Sequence, residues 1–309
     1  MISISIVGFG NHVKKNVLPA LDRITDIDIE CIYVRDTNKY HEMAQNYSVA
    51  IKKIDELNSN TAEWIYISTP IASHYEYVKK ALEAGKHVIC EKPLTDSLEK
   101  TEKLFELAEQ QKCRLHEVCV YKYHKQYSYL KDLIKELDNS IKTVHVKFTI
   151  PHLAKTDIRY QKTMGGGALL DVGYYPVSIM VNLFGMPRQI QSVKKSESGF
   201  DVDLTGTAVL EYDHFYCVAE WGIGLPYANE LTIETSNSKY TFSRIFSKPS
   251  TLKTNVEIAK GFETERLEIG EDDQFVNMFS MMLKSSQPYT SCKRNVIETC
   301  QVINSVLSN

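Results

Sequence analysis

The strongest constraint on the fold lies in the first dozen residues. Ile2–Val7 is a short strand-like run, and Gly8-Phe9-Gly10-Asn11-His12 follows it without a spacer. Residues 11–22 then place Val13, Val17 and Leu21 on one helical stripe. A strand that passes through Gly-x-Gly into a helix is the opening of a dinucleotide-binding unit. The first glycine permits the tight turn, and the second lets the backbone approach a pyrophosphate at the helix N-terminus. The third glycine of the usual fingerprint is replaced by Val13. Letters alone make a weak match, so the context has to carry it.

The context is a continued strand–helix alternation. Strands are expected at Ile27–Val34, 64–68, 86–90 and 114–120, and helices at 38–47, after Ser73 and after Asp96. Ser73 with Glu76, and Asp96 with Glu99, have the spacing of a capping box. Gly85 stops the first of these helices. Such alternation implies a parallel sheet with helices on both faces. Beyond residue 121 strands follow strands instead, at 143–150, 189–193, 204–212, 215–221 and 230–235. One helix at 168–183 interrupts them and two more close the chain. The expected architecture is an α/β Rossmann domain, residues 1–120, followed by an α+β domain, residues 121–309. The second is built on a large open, mostly antiparallel sheet.

Composition narrows the function classes. The formal net charge is −3 and no Lys/Arg run stands out, which argues against a nucleic-acid partner. The apolar runs are strand-sized, so no membrane span is expected. Seven cysteines without a framework spacing, behind an N-terminus that lacks signal-peptide features, point to reduced thiols and a cytoplasmic location. Cys113, His116 and Cys119 are three apart on a predicted strand, where such neighbours face opposite ways, so no metal site is expected.

The end of the second strand bears on the cofactor. An acid there would hold the ribose 2′-hydroxyl of NAD. The sequence reads Tyr33-Val34-Arg35-Asp36. With Val34 in the acid's place and Arg35 able to meet a 2′-phosphate, NADP is expected. Asp36 keeps NAD open.

Three constellations add chemistry. The first is Ser68-Thr69-Pro70 with His74, then Gly85-Lys86-His87-Val88 running into Glu91-Lys92-Pro93. The second is Glu117 with Tyr121-Lys122-Tyr123-His124. The third is Gly165-Gly166-Gly167-Ala168-Leu169-Leu170-Asp171-Val172-Gly173-Tyr174-Tyr175-Pro176. In order and spacing, along the whole chain, these resemble the Gfo/Idh/MocA oxidoreductases. Asp273-Gln274-Phe275 fits the same pattern. Many members carry a histidine four residues after the motif aspartate, and here that position is Tyr175. In this respect the chain is similar to the branch with glucose–fructose oxidoreductase, dimeric dihydrodiol dehydrogenases and nucleotide-deoxysugar ketoreductases.

The resemblance implies hydride transfer between nicotinamide C4 and a hydroxyl or keto carbon of a sugar or nucleotide sugar. It assigns catalysis to Lys92, Tyr175 and Asp171. It assigns the cofactor to Gly8, Phe9, Gly10, Asn11, His12, Arg35, Ser68, Thr69, Pro70, His74, Glu91 and Lys92. Tyr121, His124 and Arg159 join Lys92 and Asp171 on the substrate side. It further implies a homodimer or homotetramer, and in many relatives a cis bond at Pro93. A free phenol has a pKa of about 10, and a nearby ammonium lowers it, so Lys92 is expected to tune Tyr175. Asp171 and Tyr175 are expected on one helix face. The alternatives are a dihydrodiol or biliverdin-type reductase on the same fold, or a dinucleotide-binding regulator without catalysis.

Overall fold

Six parallel strands in the order β3-β2-β1-β4-β5-β6 form the first sheet. They are β1 (Ile2–Val7), β2 (Ile27–Val34), β3 (Ala50–Lys53), β4 (Trp64–Ile67), β5 (His87–Cys90) and β6 (Leu115–Glu117). The computed structural model describes residues 1–40, 49–284 and 292–308. Of the helix expected at 38–47, only a 3₁₀ turn at Asn38–Tyr40 falls among the described residues, and 41–47 lie outside them. The chain divides into two units. The first is Met1–Cys119 with Phe275–Val296, and the second is Val120–Gln274 with Ile297–Asn309. The late return of Phe275–Val296 to the first unit is invisible in a linear reading.

β1 and β4 are central strands covered on both sides, which is why their sequences are nearly all buried. Of the serines that alternate with isoleucine in β1, Ser5 is accommodated by a buried polar contact. Asn60 Nδ2 donates to Ser5 Oγ at 2.8 Å and to Tyr33 Oη at 3.0 Å. The helices of this unit are α1 (Leu18–Asp22), α2 (His74–Glu83) and α3 (Leu98–Gln110). A π-helical turn, Val13–Val17, precedes α1.

Neither expected capping box forms. Ser73 has helical backbone angles, and its hydroxyl donates to Pro70 O at 2.8 Å, because a 3₁₀ turn at Ile71–Ser73 already starts the helix. Ser97 takes the N-cap position of α3, and Asp96 pairs with Lys100 at 2.8 Å instead.

The second sheet has eight strands in the order β14-β13-β12-β11-β7-β10-β9-β8, and only the β7–β10 pair is parallel. The strands are β7 (Ile141–Ile150), β8 (Gln189–Lys195), β9 (Thr205–Glu211), β10 (Tyr216–Ile223), β11 (Ala228–Thr235), β12 (Ser238–Ser243), β13 (Thr254–Lys260) and β14 (Glu263–Gly270). Helix α4 (Lys125–Leu137) precedes β7, and α5 (Tyr174–Phe184) follows a π-helical turn at Leu169–Gly173. Helices α6 (Gln274–Lys284) and α7 (Lys293–Ser308) come last. β10 buries Cys217, Ala219 and Trp221 on one face and leaves Tyr216 and Glu220 on the other. That alternation marks a sheet with one covered face.

The run Lys162–Phe184, which includes α5, is long and apolar enough by length and composition alone to cross a membrane, but 67% of its apolar window is buried inside the fold, as in a core helix.

Trp221 organises the covered face. Its indole lies so close to Gly173 that a β-carbon there would be 2.8 Å from Cγ, and one at Gly206 would run into the same ring. Its Nε1 donates to Asp203 Oδ2 at 3.2 Å. Gly173→Ala overpacks this contact, so a loss of about 1–3 kcal/mol is expected. A urea titration reads it as a lower midpoint, and an unchanged midpoint would show that Trp221 can give way.

Candidate functional site

The strand order of the first sheet reverses between β1 and β4, with β2 and β3 on one side and β5 and β6 on the other. In open α/β sheets the crevice beyond the strand ends at such a point is where ligands bind. Gly8 leaves β1 there with φ +97°, and an added β-carbon would sit 2.6 Å from Ser68 O. Any other residue would be strained and would collide with backbone. Gly10 has only open space around its would-be β-carbon, with Asn11 exposed beside it. The cradle thus suits a dinucleotide pyrophosphate: one glycine closes the turn and the other leaves the approach clear.

The loops around this crevice are tied by polar contacts. His74 is buried, with Nδ1 3.0 Å from Pro93 O and Nε2 2.8 Å from Thr69 O, so it bridges the Ser68-Thr69-Pro70 and Glu91-Lys92-Pro93 turns. Burial lowers its basicity, while the two carbonyls oppose that. The Lys92–Pro93 bond is cis. Just beyond it, Leu94 N donates to Glu117 Oε1 at 2.7 Å.

Glu91 meets His12 Nε2 at 3.0 Å and accepts from Tyr66 Oη, while Asn16 holds the other His12 nitrogen at 3.1 Å. Burial alone would raise the Glu91 carboxyl. The charge and hydrogen bond of His12, the Tyr66 hydroxyl and the Lys92 charge outweigh it and pull the pKa down to about 2.

Around the end of β2, Val34 is buried and Arg35 and Asp36 are exposed. The Asp36 carboxylate accepts from Asn38 N at 3.0 Å. Phe9 lies 5.5 Å from Tyr40, with Lys14 Nζ 5.0 Å over Phe9 and Lys39 Nζ 5.6 Å over Tyr40. Lys14, Lys39 and Tyr40 were not singled out from the sequence. Lys39 and Tyr40 follow Arg35 closely, but Lys14 reaches Tyr40 only through the fold, so no spacing marks the group.

In the second unit Tyr175 is half-buried at the start of α5. Its ring centroid is 5.0 Å from Phe148, 5.3 Å from Phe246 and 6.4 Å from Tyr121. Tyr121 is fully buried, with its hydroxyl 3.1 Å from Ser178 Oγ, so it backs Tyr175. Asp171 sits inside the π-helical turn, whose extra residue breaks the i, i+4 alignment expected with Tyr175. It pairs instead with Arg159 Nε at 2.5 Å, and Asp157 Oδ1 takes Arg159 Nη1 at 3.2 Å. The Asp171 charge chiefly, with Asp157, strengthens the hold of Arg159 on its proton.

The glycines before Asp171 serve the fold directly. A β-carbon at Gly166 would meet Arg159 O at 2.6 Å, and one at Gly167 would meet Asp203 Oδ1 at 2.6 Å. His124 caps α4 by accepting from Gln126 N at 3.0 Å, and burial lowers its pKa to about 4. Lys248 is a buried amine lowered by burial to about 7 and bonded to Ile245 O at 3.0 Å. No group of three or more His, Cys, Asp or Glu side chains placed to hold a metal occurs among the described residues.

Fold and crevice together define a dinucleotide-binding oxidoreductase. Residues 2–118 match the GFO/IDH/MocA oxidoreductase family with its NAD-binding Rossmann fold, and residues 139–242 match the GFO/IDH/MocA C-terminal domain. The chain belongs to this family. It is 28% identical over 284 residues to a dTDP-3,4-didehydro-2,6-dideoxy-alpha-D-glucose 3-reductase from Actinomadura kijaniata, covering 89% of this chain and 84% of the relative. It is 28% identical over 213 residues to a D-xylose 1-dehydrogenase (NADP(+)) from Haloferax volcanii, covering 67% and 65%. Among solved structures, a 3-ketoreductase from Actinomadura kijaniata in complex with NADP and TDP-benzene superposes with a TM-score of 0.93. That match has 25% identity and covers 99% of this chain and 97% of the other.

Glu91 offers a test of the crevice. Its carboxyl ionises near 4.5 when unperturbed and at about 2 in the fold. The stabilisation it contributes is therefore complete above about pH 4.5 and is lost as the pH falls toward 2. Glu91→Gln is expected to lower the thermal midpoint more at about pH 6 than at about pH 3. An equal loss at both would contradict the assignment.

Proposed function

We propose that the protein is an NADPH-dependent reductase of a keto sugar, with a nucleotide-linked sugar as the favoured substrate. The observation that carries this is Tyr175, a half-buried phenol among Phe148, Phe246 and Tyr121 on the covered face of the second sheet. When bound, the reduced nicotinamide supplies the hydride. Gly8, Gly10 and Ser68 cradle the pyrophosphate, and Arg35, Lys14 and Lys39 take the 2′-phosphate. Asp36, the first carboxylate after β2, already accepts from Asn38 N through Oδ1.

Tyr175 Oη gives its proton to the substrate oxygen as the carbonyl is reduced and recovers it from solvent. The flanking aromatic rings hold the phenol in place. Lys92 stabilises charge developing on a substrate oxygen. Arg159, aimed by Asp171 and Asp157, hydrogen-bonds a neighbouring hydroxyl. His12 and Glu91 keep the first helix and the Lys92 turn in register, and His74 does the same for the Thr69 turn. The relative's 3-reductase name and the TDP-benzene in the solved neighbour support the nucleotide sugar. A second reading, reduction of an apolar dihydrodiol-type substrate, draws on the same aromatic lining, and a substrate panel separates the two.

The open face of the second sheet leaves Val193 61% and Tyr216 46% exposed, which suits a homodimer or homotetramer. A cytoplasmic location fits cysteines that are all free.

Tyr175→Phe and Lys92→Ala are each expected to cut turnover by about 10²–10⁴-fold while NADPH still binds. Full turnover in either variant contradicts the assigned role. Fluorescence titration is expected to give tighter binding of NADPH than of NADH, with Arg35→Ala narrowing the gap. Tighter NADH binding would reverse the choice of cofactor.

A further inference from the structure

The end of the second sheet that carries Tyr175 also carries a cation with no assigned task. Arg244 follows β12 and has φ +55°, a left-handed conformation uncommon for a residue with a side chain. Strain of that kind persists only where surrounding contacts enforce it, and it concentrates at functional sites. The enforcing contacts are on both sides of the residue. Arg244 N donates to Asn229 O at 2.6 Å. The buried Asn229 side chain then donates to Tyr227 Oη at 3.1 Å and Ser247 O at 3.0 Å, and accepts from Phe246 N at 3.0 Å. Every polar position of that amide is used to lock the backbone around Arg244.

The guanidinium is held as firmly. Its Nη1 donates to Tyr227 Oη at 2.8 Å, and its Cζ lies 4.6 Å from the Tyr227 ring centroid. Yet it forms no ion pair with a carboxylate among the described residues, and it is exposed. A structural arginine in a strained turn would be expected to meet an acid. This one is oriented, charged and open on its outer side.

Its place in the fold says what it faces. Tyr227 packs edge-on against Phe148, with centroids 6.4 Å apart, and Phe148 packs edge-on against Tyr175 at 5.0 Å. Tyr227, Phe148 and Tyr175 thus form one row of rings along the end of β7, with the reacting phenol at one end and Arg244 at the other. The loop bearing Tyr227 is fixed to β7 by Thr149 Oγ1 donating to Pro226 O.

We propose that Arg244 is the anion-binding residue of a subsite for the phosphates of a nucleotide-linked sugar, and that Tyr227 is its positioning residue. The inference rests on the nucleotide-sugar reading above. A sugar seated at Tyr175 with its anomeric phosphates directed along the row extends them toward Arg244, and a guanidinium binds phosphate oxygens through paired, charge-assisted hydrogen bonds. A free sugar has nothing to offer there, so the subsite selects for the nucleotide-linked form.

The test is calorimetric titration of the NADPH-saturated full chain with thymidine diphosphate, at two salt concentrations, beside keto-sugar reduction by the wild type. Arg244→Gln is expected to weaken diphosphate binding by about tenfold or more and to flatten its salt dependence. Arg244→Lys should recover part of the loss. Tyr227→Phe, which keeps the ring and removes the hydroxyl that aims the guanidinium, should lose several-fold and keep the salt dependence. A thermal melt of each variant identifies any that does not fold, and the remaining variants then decide. Wild-type affinity and salt dependence in Arg244→Gln would overturn the subsite and leave the nucleotide-sugar reading standing. A wild type that reduces keto sugars but has no affinity for thymidine diphosphate would overturn that reading, and the subsite with it.

Discussion

A single close approach sets the geometry of the first unit. Gly8, at φ +97°, brings the end of β1 against the Ser68 carbonyl at the end of β4, where the strand order reverses. A β-carbon would push these ends apart and fill the space beyond them. With the ends together, the next loops are bound to the same spot. His74 spans Thr69 O and Pro93 O, and Glu91 reaches His12 on the first helix. The turn that carries Lys92 is therefore held from two sides by polar contacts, those of His74 fully buried. Buried contacts of this kind are costly to break in a low-dielectric interior, and they fix a turn more narrowly than apolar packing would.

The second unit achieves its positioning by crowding. Trp221 occupies the space over Gly173 and Gly206, Asp203 receives its indole N–H and the Leu169 amide, and Gly167 presses on that same carboxylate. The chain around Asp171 adopts a π-helical turn before α5 begins. The turn sends Asp171 to Arg159 and leaves Tyr175 among aromatic rings. Two groups four residues apart thus meet different neighbours.

The central strands and the glycine turns were legible in the sequence because each rests on a local rule: an apolar run, a Gly-x-Gly turn, a Gly-rich stretch before an acid. Less was legible where tertiary contacts decide. Ser73 and Asp96 have the letters of helix caps, but a preceding 3₁₀ turn and a lysine partner claim their side chains. Edge strands such as β14, exposed along most of its length, show no apolar alternation and could not be read by pattern. Helix α4 begins at a histidine cap, which departs from the usual Ser, Thr, Asp or Asn signal. The basic side chains around Tyr40, and Arg244 beside Tyr227, come together only through folding. No spacing along the chain reveals them.

The proposed reaction is reduction of a sugar carbonyl, with Tyr175 giving the proton. Its most direct test is a single-turnover experiment, mixing the NADPH-loaded protein with a panel of free and thymidine-diphosphate-linked keto sugars and following absorbance at the reduced nicotinamide band. The expected result is stoichiometric loss of that band with a nucleotide-linked keto sugar. Retention of the band across the panel, with tight cofactor binding, would contradict the account and leave a dinucleotide-binding protein that does not transfer hydride.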